Sequence, residues 1–229
     1  MFGLLTALTR RNKPSKEQPS PLLPEWERWF EGKEFTKDWA TRKFPIWARA
    51  LAPLRTMSPA VLEIGSWEGR STIFFLGFLP GSRVTCIDTF QGNPENVATE
   101  AGRDIVEGIE RRFDFNLADY GNRVEKIVSR SAKALDHLLQ QGRLFDLIYI
   151  DGSHDRDDVL IDSVFSWRLL KPRGFLIWDD YEFKTEFSSP RPGIDAFLAY
   201  RDREFEEIHR GIQLIIKKQT WNSEKQREA

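Results

Sequence analysis

The chain has 229 residues, which is enough for one α/β domain with an N-terminal extension and a well-buried core. Its 34 basic and 35 acidic side chains leave a net charge of −1, which argues against nucleic acid as a partner and against attraction to an anionic membrane surface. The single cysteine, Cys86, excludes an internal disulfide bond and favours a reducing, cytoplasmic location.

The first 58 residues divide into two predicted segments. Residues 1–24 start with a short apolar run and continue with four prolines among charges, so we expect a flexible segment without a secretory signal or stable membrane insertion. Residues 25–58 contain four tryptophans and predict a helical cap: Trp26, Trp29, Trp39 and Trp47. Such aromatic residues usually anchor a core, and a position at the mouth of a substrate site is the alternative.

From residue 60, continuous apolar runs alternate with helical patterns, which is typical of a parallel sheet covered on both faces. Strands are predicted at 60–65, 83–90, 122–128, 145–150 and 174–180. Helices are predicted at 70–79, 93–118, 131–142, 155–170 and 193–202. Residues 204–218 predict two further strands joined by a tight turn at Arg210–Gly211. We therefore expect an α/β, Rossmann-like seven-strand sheet over residues 59–220, mostly parallel with an antiparallel last strand, followed by a tail at 221–229.

Four of the predicted strands end in distinctive polar residues. The sequences at these ends are EIGSWEGRS, IDTF, IDGSH and WDDY. In an open parallel sheet, ligands bind beyond the carboxyl ends of the strands, near the point where the strand order reverses. Four converging polar ends therefore predict a ligand site at this edge of the sheet.

The turn after the first strand has the form E-x-G-x-x-x-G, with glycines at Gly65 and Gly69. The first glycine allows a tight turn, and the second opens a helix and allows close approach to the backbone. The dinucleotide pattern G-x-G-x-x-G fails, because Trp67 and Arg70 occupy the required glycine positions. Asp88 ends the next strand, where a carboxylate can accept the hydroxyls of a ribose. Each feature alone fits an ordinary turn or cap, but together they favour a nucleoside-containing cofactor.

The stretches LEIGSWEGRST, CIDTF and IDGSHDRDDVLIDSVFSWRLLKPRGFLIWDDY resemble the class I S-adenosylmethionine-dependent methyltransferases, and look most like the family-24 type methyltransferase domain. FTKDWATRKFPIW is similar to the N-terminal element of bacterial members. The resemblance implies that S-adenosyl-L-methionine binds to eight residues: Glu63, Gly65, Ser66, Gly69, Ser71, Asp88, Ser131 and Ala132. Many relatives carry an acid just before the serine that borders the adenine, whereas this chain departs from that pattern with Arg130.

Acidic residues also end the fourth and fifth strands. Asp151 is followed 28 and 29 residues later by Asp179 and Asp180. Neighbouring parallel strands lie about 4.8 Å apart, so the three carboxylates can meet, and without a cation they would repel. Hard divalent ions such as Mg²⁺ or Mn²⁺ prefer oxygen ligands, so these acids predict a metal site. A similarity to catechol-type metal-dependent O-methyltransferases agrees, and direct binding of the cofactor amine or substrate is the alternative.

His154 is the candidate general base, with Asp151 as its catalytic partner. The catechol-type relatives place a lysine at this position, and histidine can take a proton from a hydroxyl near neutral pH. The alternative is a helix-start residue whose ring packs on Tyr181 or Trp178. Three further acids are interpreted as helix-start residues, where negative charge favours the dipole: Asp155, Asp157 and Asp158.

Other polar residues carry weaker predictions. His137 and His209 are interpreted as structural. The loop 181–195 is rich in turn-forming residues, and such loops often carry specificity. Its candidates for contact with an acceptor are Tyr181, Arg191 and Asp195.

The sequence thus predicts an S-adenosylmethionine-dependent O-methyltransferase, assisted by a divalent metal, that acts on a hydroxyl of a small molecule or sugar. Self-association into a homo-oligomer stays open. One alternative is a protein of the cephalosporin-hydroxylase-like group, and another is a cofactor-binding or scaffold protein without turnover. A nucleic-acid methyltransferase is disfavoured by the balanced charge and by the lack of a DPPY-like or NPPY-like motif after the fourth strand.

Overall fold

The structure of the protein, a computed structural model, describes residues 26–186 and 188–220, apart from the side chain of Glu95. The predicted flexible segment 1–24 and the predicted tail 221–229 lie outside these residues. Among the described residues, no helix combines the length and the apolar character that a membrane crossing requires.

Seven strands form one sheet within the described ranges. Their bounds are Ala60–Ile64 (β1), Arg83–Asp88 (β2), Val124–Val128 (β3), Phe145–Ile150 (β4), Leu170–Trp178 (β5), Phe205–Arg210 (β6) and Leu214–Lys218 (β7). The order is β3-β2-β1-β4-β5-β7-β6. Strands β1 to β5 are parallel, and β7 runs antiparallel to both β5 and β6. The predicted sheet is therefore confirmed, and its strand order reverses between β1 and β4.

Helices connect these strands. Across the described ranges the α-helices are Phe44–Leu51 (α1), Arg70–Phe78 (α2), Pro94–Val97 (α3), Glu100–Val106 (α4), Ile109–Leu117 (α5), Ser131–Gln140 (α6), Arg156–Leu169 (α7) and Arg191–Tyr200 (α8). Short 3₁₀ helices span Glu27–Phe30, Thr41–Lys43, Ala52–Leu54 and Ala118–Arg123.

Side chains that alternate along the strands build a core on each face of the sheet. Val61 and Ile177 pack on the face that carries α1, α2 and α5. Leu62 and Leu176 pack on the opposite face with α6, α7 and α8. Helices therefore cover both faces, which explains why the parallel strands are continuous apolar runs.

The tryptophan-rich N-terminal segment shares its core with α2. Phe44 of α1 stacks on Phe74 of α2 with ring centroids 4.4 Å apart, and Trp47 stacks on Phe75 at 5.1 Å. Helix α1 is amphipathic, and its buried side chains recur at the helical spacing of three to four residues. This segment therefore contacts the sheet domain through a large aromatic surface.

Some predicted boundaries were wrong. The predicted strand 83–90 ends at Asp88, because Phe90 has a left-handed backbone with φ of 55°. The predicted helix 93–118 is three helices, separated by the cap at Thr99 and by Gly108, whose φ is 77°. Strand β5 begins at Leu170 rather than residue 174. The final turn occupies residues 211–213, where the Gly211 N–H donates to the Gln213 carbonyl at 2.9 Å.

Candidate active site

The carboxyl ends of β4 and β5 bring two of the predicted acids side by side. Ile150 pairs with Trp178 in the parallel register, so the residues that follow them, Asp151 and Asp179, are neighbours. The N–H of Asp179 donates to the Ile150 carbonyl at 2.9 Å, which extends the sheet by one bond. The chain then turns at Asp180, whose φ is 53°. Carboxylate oxygens of the three acids lie within 4.8 Å of one another.

A buried lysine from the N-terminal segment lies in this acid cluster. Lys43 ends a 3₁₀ helix, and its ammonium group forms an ion pair with Oδ2 of Asp179. The two side chains are 4% and 1% exposed, so the pair is shielded from water. Burial lowers the pKa of Lys43, but the charges of Asp151 and Asp179 outweigh it and the pKa is raised. Lys43 is therefore a cation at neutral pH.

Asp179 uses both of its carboxylate oxygens. Oδ2 accepts from Lys43 and from the Tyr149 hydroxyl at 2.7 Å, while Oδ1 accepts from Gln213 Nε2 at 3.0 Å and from the next backbone N–H at 2.8 Å. Gln213 is itself held by the indole N–H of Trp47, which donates to its Oε1 at 2.7 Å. A carboxylate offers about four acceptor positions, so Asp179 is saturated by the protein.

Tyr149 bridges Asp179 and Asp151. Its hydroxyl oxygen lies 2.7 Å from Oδ2 of each carboxylate. One hydroxyl has a single proton, so both contacts are hydrogen bonds only when one carboxyl is protonated and donates to the tyrosine oxygen. Burial and the charge of Asp179 raise the pKa of Asp151 well above its usual range, although Lys43 opposes them. Burial therefore favours the protonated form of Asp151.

His154 faces the third acid. Its Nε2 lies 3.1 Å from Oδ2 of Asp180, and its ring lies 4.4 Å from the ring of Phe183. The imidazole therefore packs on Phe183, and the alternative packing of His154 on Tyr181 or Trp178 stays a prediction. Burial raises the pKa of Asp180, but the bond to His154 and the charge of Lys43 outweigh it, so the pKa is lowered and the group is ionised.

One hollow joins these groups. Its lining includes Asp151, Ser153, His154, Asp179, Asp180 and Pro190. It lies beside Gly65, where a Cβ would come within 2.0 Å of the Asp151 carbonyl oxygen. Gly65 also has a φ of 85°, so both the backbone conformation and the close approach require glycine. The glycine turn and the acid cluster are therefore in direct contact.

Asp88 lies at the tip of the neighbouring strand β2 and holds the glycine turn in place. Its Oδ2 accepts the backbone N–H groups of Ser66 and Trp67, each at 2.8 Å, and its Oδ1 accepts that of Phe90 at 2.7 Å. These three bonds leave one acceptor position at a partly exposed carboxylate. The predicted role of Asp88 at a ribose stays a prediction.

Glu63 lies beneath the glycine turn and is completely buried. Its Oε2 accepts from the Thr72 hydroxyl and lies 3.6 Å from the Cys86 sulfur, whereas Oε1 has no hydrogen bond from a described residue. Burial raises the pKa of Glu63, against the hydroxyls of Ser71 and Thr72. The structure thus places Glu63 and Ser71 in one internal polar cluster, and their contacts with a cofactor stay predictions.

The second glycine of the turn contacts protein. Gly69 caps the N-terminus of α2 with φ of 82°, and a Cβ there would lie 3.1 Å from Leu117. The adjacent Glu68 is buried and accepts from the backbone N–H of Thr36 at 2.7 Å and from Arg112. Hydrogen bonds of Glu68 therefore connect the glycine turn to the N-terminal segment and to α5, a connection that the sequence reasoning missed.

The predicted adenine neighbours lie at the start of α6. Ser131 is the first residue of this helix and is half-buried, whereas Ala132 is exposed. Below them on α7, Asp162 is 1% exposed, and neither of its carboxylate oxygens has a hydrogen bond of good geometry to a described residue. Burial raises the pKa of Asp162 to about 7, opposed by the Ser131 hydroxyl.

The remaining predicted residues have structural contacts. Asp155 caps α7 by accepting the N–H groups of Asp157 and Asp158, at 2.8 and 3.2 Å. Tyr181 is 2% exposed, and its hydroxyl donates to Asp195 at 2.7 Å. A role of this loop in contact with an acceptor stays a prediction.

Three residues of the acid cluster were missed by sequence reasoning: Lys43, Tyr149 and Gln213. Lys43 precedes Trp47 by one helical repeat and therefore falls on the buried face of α1, which was a usable signal. Tyr149 shares a strand face with Asp151 because side chains two residues apart point the same way. Gln213 gave no signal, since it lies in a turn 34 residues after Asp179.

Comparison with known proteins assigns the chain to a family. A family model described as a methyltransferase domain matches residues 62–181, which is more than half of the chain and includes Asp88, Asp151, Asp179 and Asp180. No curated protein sequence matches the chain at a significant level.

Solved structures show the same fold. MycE, a methyltransferase from the mycinamycin biosynthetic pathway in complex with Mg and SAH, has a TM-score of 0.58 and 19% identity over 88% of this chain and 55% of its own. An O-methyltransferase from Bacillus cereus in complex with SAH has a TM-score of 0.54 and 20% identity over 81% of this chain and 84% of its own. The O-methyltransferase NovP has a TM-score of 0.56 and 16% identity, with 78% and 79% covered.

The chain spans about half the length of MycE, and identities this low establish the fold alone. The family match is the stronger finding, because it covers the glycine turn and both acidic strand ends. The chain therefore belongs to the family-24 type of methyltransferase domain.

Proposed function

We propose that the protein transfers a methyl group from S-adenosyl-L-methionine to a hydroxyl of a small molecule or sugar, with help from a divalent metal ion. The single observation that carries this proposal is the meeting of Asp151, His154, Asp179 and Asp180 in one hollow beside Gly65. A methyl donor at the glycine turn and an acceptor at the acid cluster would be neighbours, because Gly65 lies against the backbone of Asp151, and this would position the two reactants for direct transfer. Positioning of this kind can contribute roughly 7–11 kcal/mol in the best cases.

The acid cluster fits a hard divalent cation in charge and in donor type. Carboxylate oxygens of three acids lie within 4.8 Å of one another, and burial together with the charge of Asp179 raises the pKa of Asp151 well above its usual range. Oδ1 of Asp151 and Oδ1 of Asp180 accept no hydrogen bond from a described residue, so both can serve as ligands. A bound Mg²⁺ or Mn²⁺ would supply a Lewis acid that favours the deprotonated form of an acceptor hydroxyl. MycE, a protein of the same fold, binds Mg.

His154 is proposed as the group that takes the proton from the acceptor hydroxyl. The hydrogen bond to Asp180 orients its ring, and the ionised carboxylate stabilises the imidazolium that forms. Asp151 shares a proton with Tyr149 and completes the hydrogen-bonded chain from Asp179 to the hollow. These residues would hold an acceptor hydroxyl and remove its proton.

The test is formation of S-adenosylhomocysteine from S-adenosylmethionine with a panel of sugars and phenols, in the presence of Mg²⁺, Mn²⁺ or EDTA. We expect product formation that depends on an acceptor and that EDTA reduces. Asp151→Asn should abolish most of it, whereas Asp146→Asn, at the opposite end of the same strand, should not.

Two results would contradict the proposal. Normal methylation by Asp151→Asn would show that the active site lies elsewhere in the fold. Tight donor binding without product from any acceptor would favour a cofactor-binding protein or the hydroxylase-like group instead.

A further inference from the structure

We propose that Lys43 is the built-in cationic partner of Asp179, which it holds away from a divalent ion, so that Asp151 and Asp180 are the carboxylates that bind the ion. The inference rests on the proposed function in taking this cluster as the active centre. It adds a residue from the N-terminal segment, outside the part of the chain that matches the methyltransferase family, to the machinery of the site.

Donors from the protein already occupy the carboxylate of Asp179. Four donors occupy its two oxygens, and one of them is the ammonium group of Lys43. A metal ion could bind Asp179 directly only by displacing at least one of these donors. The donors belong to Lys43, Tyr149, Asp180 and Gln213, so four separate groups fix the position of the carboxylate.

Burial also keeps Lys43 paired with Asp179. Lys43 and Asp179 are both almost completely shielded from water, and a buried ion pair is costly to break because each charge would be left uncompensated. Lys43 is anchored by its position next to Phe44 and one turn before Trp47, whose rings pack into the core. The ammonium group is thus a fixed part of the site.

The charge of the acid cluster also fits a divalent ion bound by two carboxylates. The cluster contains three carboxylates, and after Lys43 neutralises Asp179, the other two carry two negative charges once Asp151 has released the proton that it shares with Tyr149. This is the charge that one divalent ion balances, and Asp151 and Asp180 each offer an oxygen without a described hydrogen bond. Mg²⁺ is commonly bound by one or two carboxylates together with waters, so a third carboxylate is not required.

The test is Mn²⁺ binding followed by electron paramagnetic resonance, without donor or acceptor. Lys43→Met frees Asp179 and removes a positive charge, so we expect Mn²⁺ to bind at least about tenfold more tightly than to wild type. Lys37→Met, the same substitution at an exposed lysine of the same segment, should leave the affinity unchanged. An unchanged or weaker affinity in Lys43→Met would overturn the proposal.

A double variant keeps the proposal testable if Lys43→Met does not fold. Lys43→Met/Asp179→Asn removes the ion pair as a neutral unit, and the asparagine can still bond Tyr149 and Gln213. We expect it to bind Mn²⁺ as wild type does, whereas loss of Mn²⁺ binding would show that Asp179 is a ligand. These outcomes are read without methyl transfer, so an error about Lys43 is distinguishable from an error about the reaction, which would appear as absence of S-adenosylhomocysteine with every acceptor.

Discussion

Two strand tips of this protein hold carboxylates in opposite ways. At the tip of β2, Asp88 is held by backbone N–H groups of residues 66, 67 and 90, all of them in the turns beside it. At the tip of β5, three of the four donors to Asp179 are side chains, and its charge is balanced by Lys43 from 136 residues away. Backbone donors remain whatever side chains surround them, whereas the acid cluster depends on a few individual residues. The glycine turn is therefore a local structure, and the acid cluster is a product of the whole fold.

The largest expected effect tests that dependence directly. Lys43→Met should lower the free energy of unfolding by about 3–5 kcal/mol in EDTA, because it leaves a buried carboxylate without its partner. Urea denaturation measures the change. The exposed control Lys37→Met should change the value by about 0.5 kcal/mol or less. Equal stability of the two variants would mean that the acid cluster does not need its lysine.

The next effect separates chemistry from packing at the acid cluster. His154→Ala should lower the rate of methyl transfer by about 10²–10⁴-fold, because it removes the proposed proton acceptor while the glycine turn keeps its contacts. The rate of S-adenosylhomocysteine formation measures the loss, and donor affinity by calorimetry should stay the same. His137→Ala, on the exposed face of α6, is the matched control. A normal rate in His154→Ala would show that the imidazole is not the proton acceptor and that its contacts with Asp180 and Phe183 are structural.

Another buried carboxylate, Asp162, sharpens the comparison because, within the described part of the chain, it has neither a lysine nor a backbone donor. Its folded pKa of about 7 exceeds the ordinary value of 3.8, so the native state keeps a proton that the unfolded chain releases. The stability from this proton is complete below about pH 4 and is lost as the pH rises to about 7. The gain in stability from Asp162→Asn should therefore be about 2–3 kcal/mol larger at pH 8 than at pH 5.

Urea denaturation of the variant and wild type at both pH values measures this difference. Asp136→Asn, a change at an exposed carboxyl on α6, is the control against which it is judged. A difference between Asp162→Asn and wild type that is the same at pH 5 and pH 8 would show that Asp162 is ionised throughout this range.

The smallest expected effect lies at the β2 tip. Asp88→Asn replaces one acceptor oxygen by an amide donor, which would face at least one of the three N–H groups now bound. Hydrogen bonds to charged groups contribute about 1.5–3 kcal/mol, so the affinity for S-adenosylhomocysteine should fall roughly 10- to 100-fold. Calorimetry measures the affinity for S-adenosylhomocysteine, and Thr89→Ala, at the next residue, is the control. Wild-type affinity of Asp88→Asn would mean that the turn keeps its conformation when one of these hydrogen bonds is lost.

Much of this architecture could be predicted from the sequence because the signals are local. Continuous apolar runs marked the buried strands, Gly65 marked the turn, and Asp151 with Asp179 marked adjacent strand ends, since parallel strands place their carboxyl ends at one edge. Asp155 was interpreted as a helix-start residue, and it caps α7. In each case the signal for a strand, turn or strand end lies in the few residues on either side of it.

Only the tertiary structure decided what surrounds those residues. Lys43 looked like one charge among many, and its partner became visible only when α1 packed its aromatic face on α2 and carried the amine to the tip of β5. Glu68 likewise belongs to the glycine turn in sequence, but its carboxylate accepts from Thr36 of the N-terminal segment. The physical reason is that hydrogen bonds and ion pairs depend on distances in space, and chain separations of 32 to 136 residues leave no periodic trace in the sequence.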